Sequence, residues 1–178
     1  MRARRVKGLE AHTRLEDAAE RMVRVRVAEL CDLAGRALEP EAVDALHDTR
    51  IAAKRLRYLL EITAPVLGPY AETAGRRCKD VQDLLGEVHD CDVMLPRLDA
   101  LRAEVRATDA AVMAAADGAR PPEPPHADAY RGLERLAVEI SARRRRLFAE
   151  WLELWTDLER KGFRARLEHA AGERVNAL

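Results

Sequence analysis

Apolar residues recur every three or four positions along most of the chain. That spacing places them on one face of an α-helix. β-branched residues are scattered, and no Asn-Gly or Asp-Gly turn breaks the pattern, so strands are not expected. Leu15, Ala19, Met22, Val23, Val27, Leu30, Ala34 and Ala37 form a first stripe, which predicts a helix from about Thr13 to Leu38. Thr13 and Glu16 have the spacing of a capping box, and Pro40 stops the helix. Leu46, Ala53, Leu56, Leu59, Leu60 and Thr63 predict a second helix over Glu41 to Leu67, before the break at Gly68-Pro69. Ala74, Cys78, Val81, Leu85 and Val88 predict a third, from about Tyr70 to Leu95. Pro96 is expected to kink it before it resumes toward Val105. Leu133, Leu136, Ile140, Leu147, Trp151, Trp155 and Leu158 predict a fourth, from about Ala127 to Ala170.

Residues 107–126 read as the one long connection, with the Pro-rich run DGARPPEPPH at 117–126. Residues 1–12 read as a basic arm, without the apolar stretch a secretory signal requires. The expected fold is therefore all-α: one domain over residues 1–178, built as an antiparallel four-helix bundle with long helices.

Composition narrows the chemistry. The 178 residues carry 31 cations and 31 acids, so no global charge draws the chain to a polyanion. Such binding requires the charges to be segregated on the surface. Of the cations 27 are Arg and four are Lys, which supplies many planar forks suited to phosphate oxygens. Three cysteines, Cys31, Cys78 and Cys91, have no CxxC spacing, and this points to a reducing cytosol. No apolar run approaches the length of a membrane span. The chain has no GxxxxGK or GxGxxG loop, and its single Ser, Ser141, lies in no nucleophile elbow.

Several charged residues break the apolar pattern. His47, Arg50, Lys54 and Arg57 fall within about 80° of one another on the second helix. Like charges at that spacing destabilise a helix by a few tenths of a kcal/mol per pair. A bound polyanion would compensate, as would Glu61 on the same side; a solvated charged face is the plainer alternative. Arg26 and Arg144 project into the apolar stripes of their own helices, and a buried Arg needs a partner. Asp92, on the stripe of the third helix, is the expected one. Arg102, Arg106 and Arg174 read as solvent-facing cations.

Two segments carry a family resemblance. ALHDTRIAAKRLRYLLEI resembles the H-x-x-R-x-x-x-[KR]-x-L-R signature of CHAD domains, the conserved-histidine α-helical domains. VQDLLGEVHDCDVML resembles the L-Q-x-L-L-G element that leads to D-x-D-V in the same family. The resemblance implies an all-helical, non-catalytic module that binds inorganic polyphosphate without a cofactor. By position it places His47, Arg50, Lys54 and Arg57 on the binding surface, and Lys79 where the family often has a Lys. Arg55, Arg26 and Arg144 complete the candidate set of polyphosphate-binding residues. Family members usually carry the signature twice and this chain carries one full copy, so a homodimer is expected. A cytoplasmic location, in association with polyphosphate granules, follows from the same resemblance. The low aromatic content, 4%, suits a ligand without bases, although contact with a nucleic-acid backbone stays open. Two other functions compete: a helical scaffold with internally paired charges, and an HD-type metal-dependent phosphohydrolase using His12, His47 and Asp48. The cations that follow His47-Asp48 would crowd a metal ion, which weighs against the latter.

Overall fold

The computed structural model describes residues 3–115 and 124–173. They form five α-helices and, among the described residues, no strand: α1 (Leu15–Ala34), α2 (Val43–Thr63), α3 (Tyr70–Ala115), α4 (Ala127–Arg160) and α5 (Phe163–Gly172). A 3-10 turn, Ala64–Val66, follows α2 where Pro65 cannot continue the hydrogen-bond ladder. The fold is all-α.

Several expected boundaries move. α1 starts at Leu15, and Thr13 does not cap it. The Thr13 hydroxyl instead accepts the Glu10 backbone N–H at 2.9 Å, which takes it away from the helix start. α3 does not end near Val105 but runs on through Pro96 to Ala115, so the expected loop over 107–126 begins as helix. Pro96 is exposed, and the ladder bond it removes is one of many in a helix of 46 residues. Most of the Pro-rich run lies outside the described residues. The expected fourth helix is two helices. Gly162 adopts φ 66°, a left-handed conformation that glycine reaches without a Cβ clash, and the chain turns there from α4 into α5.

The chain divides into two compact units, with the boundary inside α3 and α4. The first holds residues up to His89 and from Leu147 onward. Its core is the predicted stripes, apart from Leu15, which is exposed: Val23, Val27 and Leu30 on α1, Leu46, Leu56 and Leu60 on α2, and Val81, Leu85 and Val88 on α3. Trp151, Trp155, Phe163 and Leu167 extend it through α4 and α5. Trp151 is wholly buried, and its indole N–H donates to the Ala37 carbonyl at 2.8 Å, tying α4 to the end of the α1 segment. The Thr63 hydroxyl, inside the apolar stripe of α2, is satisfied by the Leu59 carbonyl one turn back. At the α2–α3 turn, Gly68 donates its backbone N–H to Ala170 of α5. A Cβ there would lie 3.2 Å from the Ala170 carbonyl oxygen, and the Glu173 carboxylate would have to move aside for it.

The second unit spans Asp90–Arg146. Arg144 pairs with Asp92, as expected, with Nη2 3.4 Å from Oδ2 in addition to a closer contact through Nε. Arg102, expected to face solvent, bridges Asp99 and Glu134 and is only 24% exposed. Buried Asp109 gathers His126 and Tyr130, at 2.6 Å to His126 Nδ1 and 2.7 Å to the Tyr130 hydroxyl. Burial alone would push the Asp109 carboxyl up, but hydrogen bonds from His126 and Tyr130 outweigh it and hold it below its ordinary value. Leu136, expected in the core, is exposed in this unit.

All three cysteines are free, and burial pushes each thiol up, Cys31 to about 11. No described helix is long and apolar enough to cross a membrane.

Candidate functional site

The site builds from the two stripes that α2 and α3 present to each other in the first unit. Three close approaches fix their antiparallel register. A Cβ on Gly75 would lie 3.9 Å from Leu60, one on Gly86 would lie 3.6 Å from Nε of Arg50, and the rings of His47 and His89 stand 4.8 Å apart. The same offset puts Lys54 level with Gln82 and Arg57 level with Lys79. The signature stripe of α2 therefore runs beside Lys79, Gln82, Gly86 and His89 on α3, which share one face at spacings of three and four residues.

The cations on this face differ in what holds them. Arg57 is 15% exposed; it lies 3.4 Å from Glu61, with its guanidinium 4.5 Å over the Tyr58 ring. Lys79 pairs with Asp83 at 2.5 Å, on an exposed turn. Arg50 and Lys54 form no ion pair with any described residue. Nε of Arg50 is buried without a hydrogen-bond partner, and so are Nδ1 of His47 and Oε1 of Gln82. Lys54 is exposed, its ammonium 5.9 Å from the centre of the Tyr58 ring, at the outer limit of a cation–π contact. Between the helices toward the other end of the stripe lies a cavity of about 270 Å³, lined by Leu60, Glu61, Gly75, Arg76 and Lys79 among others.

The remaining candidates are held by other partners. Arg26 was expected to pair with Asp92, but its partner is Glu29, one turn along its own helix at 2.6 Å. Glu29 is 1% exposed and also accepts the Arg4 backbone N–H, with Arg55 at 4.0 Å. Arg26 and Arg55 thus share a buried carboxylate, which offsets the cost of taking them from water. Arg144 belongs to the second unit, with Asp92. His12, the first residue an HD-type metal site would need, is 85% exposed and 3.1 Å from Glu10. Among the described residues no three His, Cys, Asp or Glu side chains converge as metal ligands.

The sequence places Gln82 and Gly86 in the L-Q-x-L-L-G element but not among the candidate binding residues, and Glu29 and His89 are not among those candidates either. The signal for the first two and for His89 was their spacing on one face of α3, visible once the antiparallel register is known.

What the arrangement can do is neutralise anionic oxygens. It offers guanidinium and ammonium donors along about 15 Å of helix, two imidazoles at one end, and a Gln amide between them.

No curated protein and no solved structure matches the chain. The family model described as CHAD domain matches residues 2–99, more than half of the chain, and the match takes in the whole of α2 and the α3 segment with Lys79, Gln82, Gly86 and His89. The chain belongs to the CHAD domain family.

Proposed function

We propose that this chain binds inorganic polyphosphate, or a polyanion of similar charge density, along the α2–α3 stripe, and does so without catalysing a reaction on it. One observation carries the reading: Arg50 and Lys54 stand one turn apart on a single face, beside two further cations and two imidazoles, and neither has a carboxylate partner among the described residues. Placing like charges on one stripe costs helix stability, and a phosphate chain returns that cost through charge-assisted hydrogen bonds. The pairs Arg57–Glu61 and Lys79–Asp83 each have at least one exposed member. Such pairs are worth little in water and can be exchanged for phosphate oxygens. Self-association as a homodimer would offer one polymer two such stripes. Under the same reading the chain would gather where polyphosphate accumulates, granules included.

A scaffold with paired charges is the second reading. It is favoured by the number of Arg residues that close local pairs, such as Arg76–Glu72 and Arg77–Asp80. Salt separates the two. Polyphosphate binding through four or five cations should release counterions, so log affinity should fall linearly with log salt, with a slope of roughly −3 to −4. Calorimetric titration with long-chain polyphosphate between 50 and 300 mM salt reads that slope. No binding at the lowest salt, or a slope near zero, would favour the scaffold.

A further inference from the structure

The two imidazoles at the end of the stripe belong to different helices and different motifs, yet their rings lie 4.8 Å apart at a 45° tilt. We propose that His89 is a further anion-binding residue, and that it and His47 form a pair that takes up protons when a phosphate chain binds. This rests on the polyanion reading above and adds to it a second titrating contact and a pH dependence.

The geometry carries the argument. His47 continues the cationic stripe of α2 one turn before Arg50, and Arg50 lies against Gly86, one turn before His89 on α3. A phosphate held by Arg50 is therefore within one helical turn of both rings. Imidazole is the side chain whose charge changes across the neutral range, so each ring can answer an approaching anion by binding a proton. Two imidazolium rings this close repel each other, and a neighbouring guanidinium adds to that repulsion. A phosphate oxygen cancels that repulsion. By linkage, an anion that favours the protonated pair must itself bind more tightly where the pair is protonated.

The charged groups around the pair bear on the sign. On α2 these are Asp44, Asp48 and Arg50, and on α3 Glu87 and Asp90. Asp48 and Glu87 already hold other interactions. From α1, packed on another side of α2, Glu29 is occupied by Arg26 and stands 4.0 Å from Arg55, two turns along from His47. The bound anion favours a proton on each ring, so uptake on binding exceeds that of a single histidine.

The test is calorimetric titration of the full chain with long-chain sodium polyphosphate at pH 6 and pH 8, in two buffers of different ionisation enthalpy so that proton uptake is read directly. Long chains keep titrating end groups few. If the anion raises each imidazole's affinity for protons about tenfold, two rings should make the wild type bind roughly thirtyfold more tightly at pH 6 than at pH 8, about sixfold for each ring over that interval. His89→Gln should cut the gain in affinity from pH 8 to pH 6 to about sixfold and lower the proton uptake on binding. His89→Lys, which fixes the charge, should raise affinity at pH 8 and likewise flatten the profile. The proposal fails if both variants bind and keep the full wild-type pH dependence and proton uptake; the polyanion reading would then survive without it. A wild type that binds polyphosphate at neither pH would overturn both.

Discussion

Replacing Arg50, Lys54 and Arg57 together with Gln should weaken polyphosphate binding about a hundredfold while leaving helix content unchanged. The estimate takes about 1 kcal/mol for each surface cation beside a dense anionic charge, hence about 3 kcal/mol for three. Gln keeps the aliphatic stem and the helix propensity, so the Arg57 stem still packs at Tyr58 and only charge is removed. Among the described residues Arg50 and Lys54 leave no orphaned carboxylate behind, and Glu61, freed from Arg57, is exposed to water. Loss of the repulsion along the stripe works in the protein's favour by a few tenths of a kcal/mol. The matching control is Arg131, Arg135 and Arg160, whose side chains are 87%, 85% and 75% exposed. It removes the same charge far from the stripe in sequence and should weaken binding severalfold at most. Arg102 would be a poor control, because it is held between Asp99 and Glu134. Binding by the two triples is compared at one salt concentration, with circular dichroism as the check on fold. Equal losses would mean diffuse attraction without a site.

Trp151→Ala should lower stability by about 4 kcal/mol, the usual cost of truncating a fully buried aromatic. The change also strands the Ala37 carbonyl, which now accepts the indole N–H at 2.8 Å. For a chain of this size, that loss lowers the melting temperature by about 10 °C. Trp151→Phe refills most of the space but cannot donate the hydrogen bond, so it should fall between alanine and wild type. Thermal melts followed by circular dichroism give the ranking. An alanine variant within 2 °C of wild type would mean that α4 does not anchor the core of the first unit.

Much of this was legible in the residues, and the misses have physical causes. The helices could be read because apolar positions at a period near 3.6 admit few other structures. The capping box at Thr13 failed because the same hydroxyl had a competing donor, the Glu10 N–H. The break between α4 and α5 was hidden because further apolar residues, Phe163 and Leu167, follow the stripe that ends at Leu158, with no proline between them. A single glycine inside such a pattern is usually tolerated; here Gly162 turns left-handed and ends the helix. Glu29 escaped notice because an acid at the edge of an apolar stripe normally faces water, whereas this one is buried to serve Arg26 and Arg55. The α2 half of the site could be read from one helix alone. Its α3 half could not, since no single-helix pattern says which face of α3 meets Arg50; that needed the antiparallel offset given by Leu60 with Gly75, Arg50 with Gly86 and His47 with His89.

The central claim is that a phosphate chain lies along one face made by α2 and α3. The most direct measurement is a residue-resolved NMR titration of the full chain with long-chain polyphosphate at pH 7 and low salt, following backbone amides together with the Arg Nε–H and His ring signals. The account predicts that the largest shifts cluster on His47, Arg50, Lys54, Arg57, Lys79, Gln82 and His89, with Arg131, Arg135 and Arg160 nearly still. Shifts spread evenly over exposed arginines of all five helices, or centred away from the α2–α3 face, would contradict it.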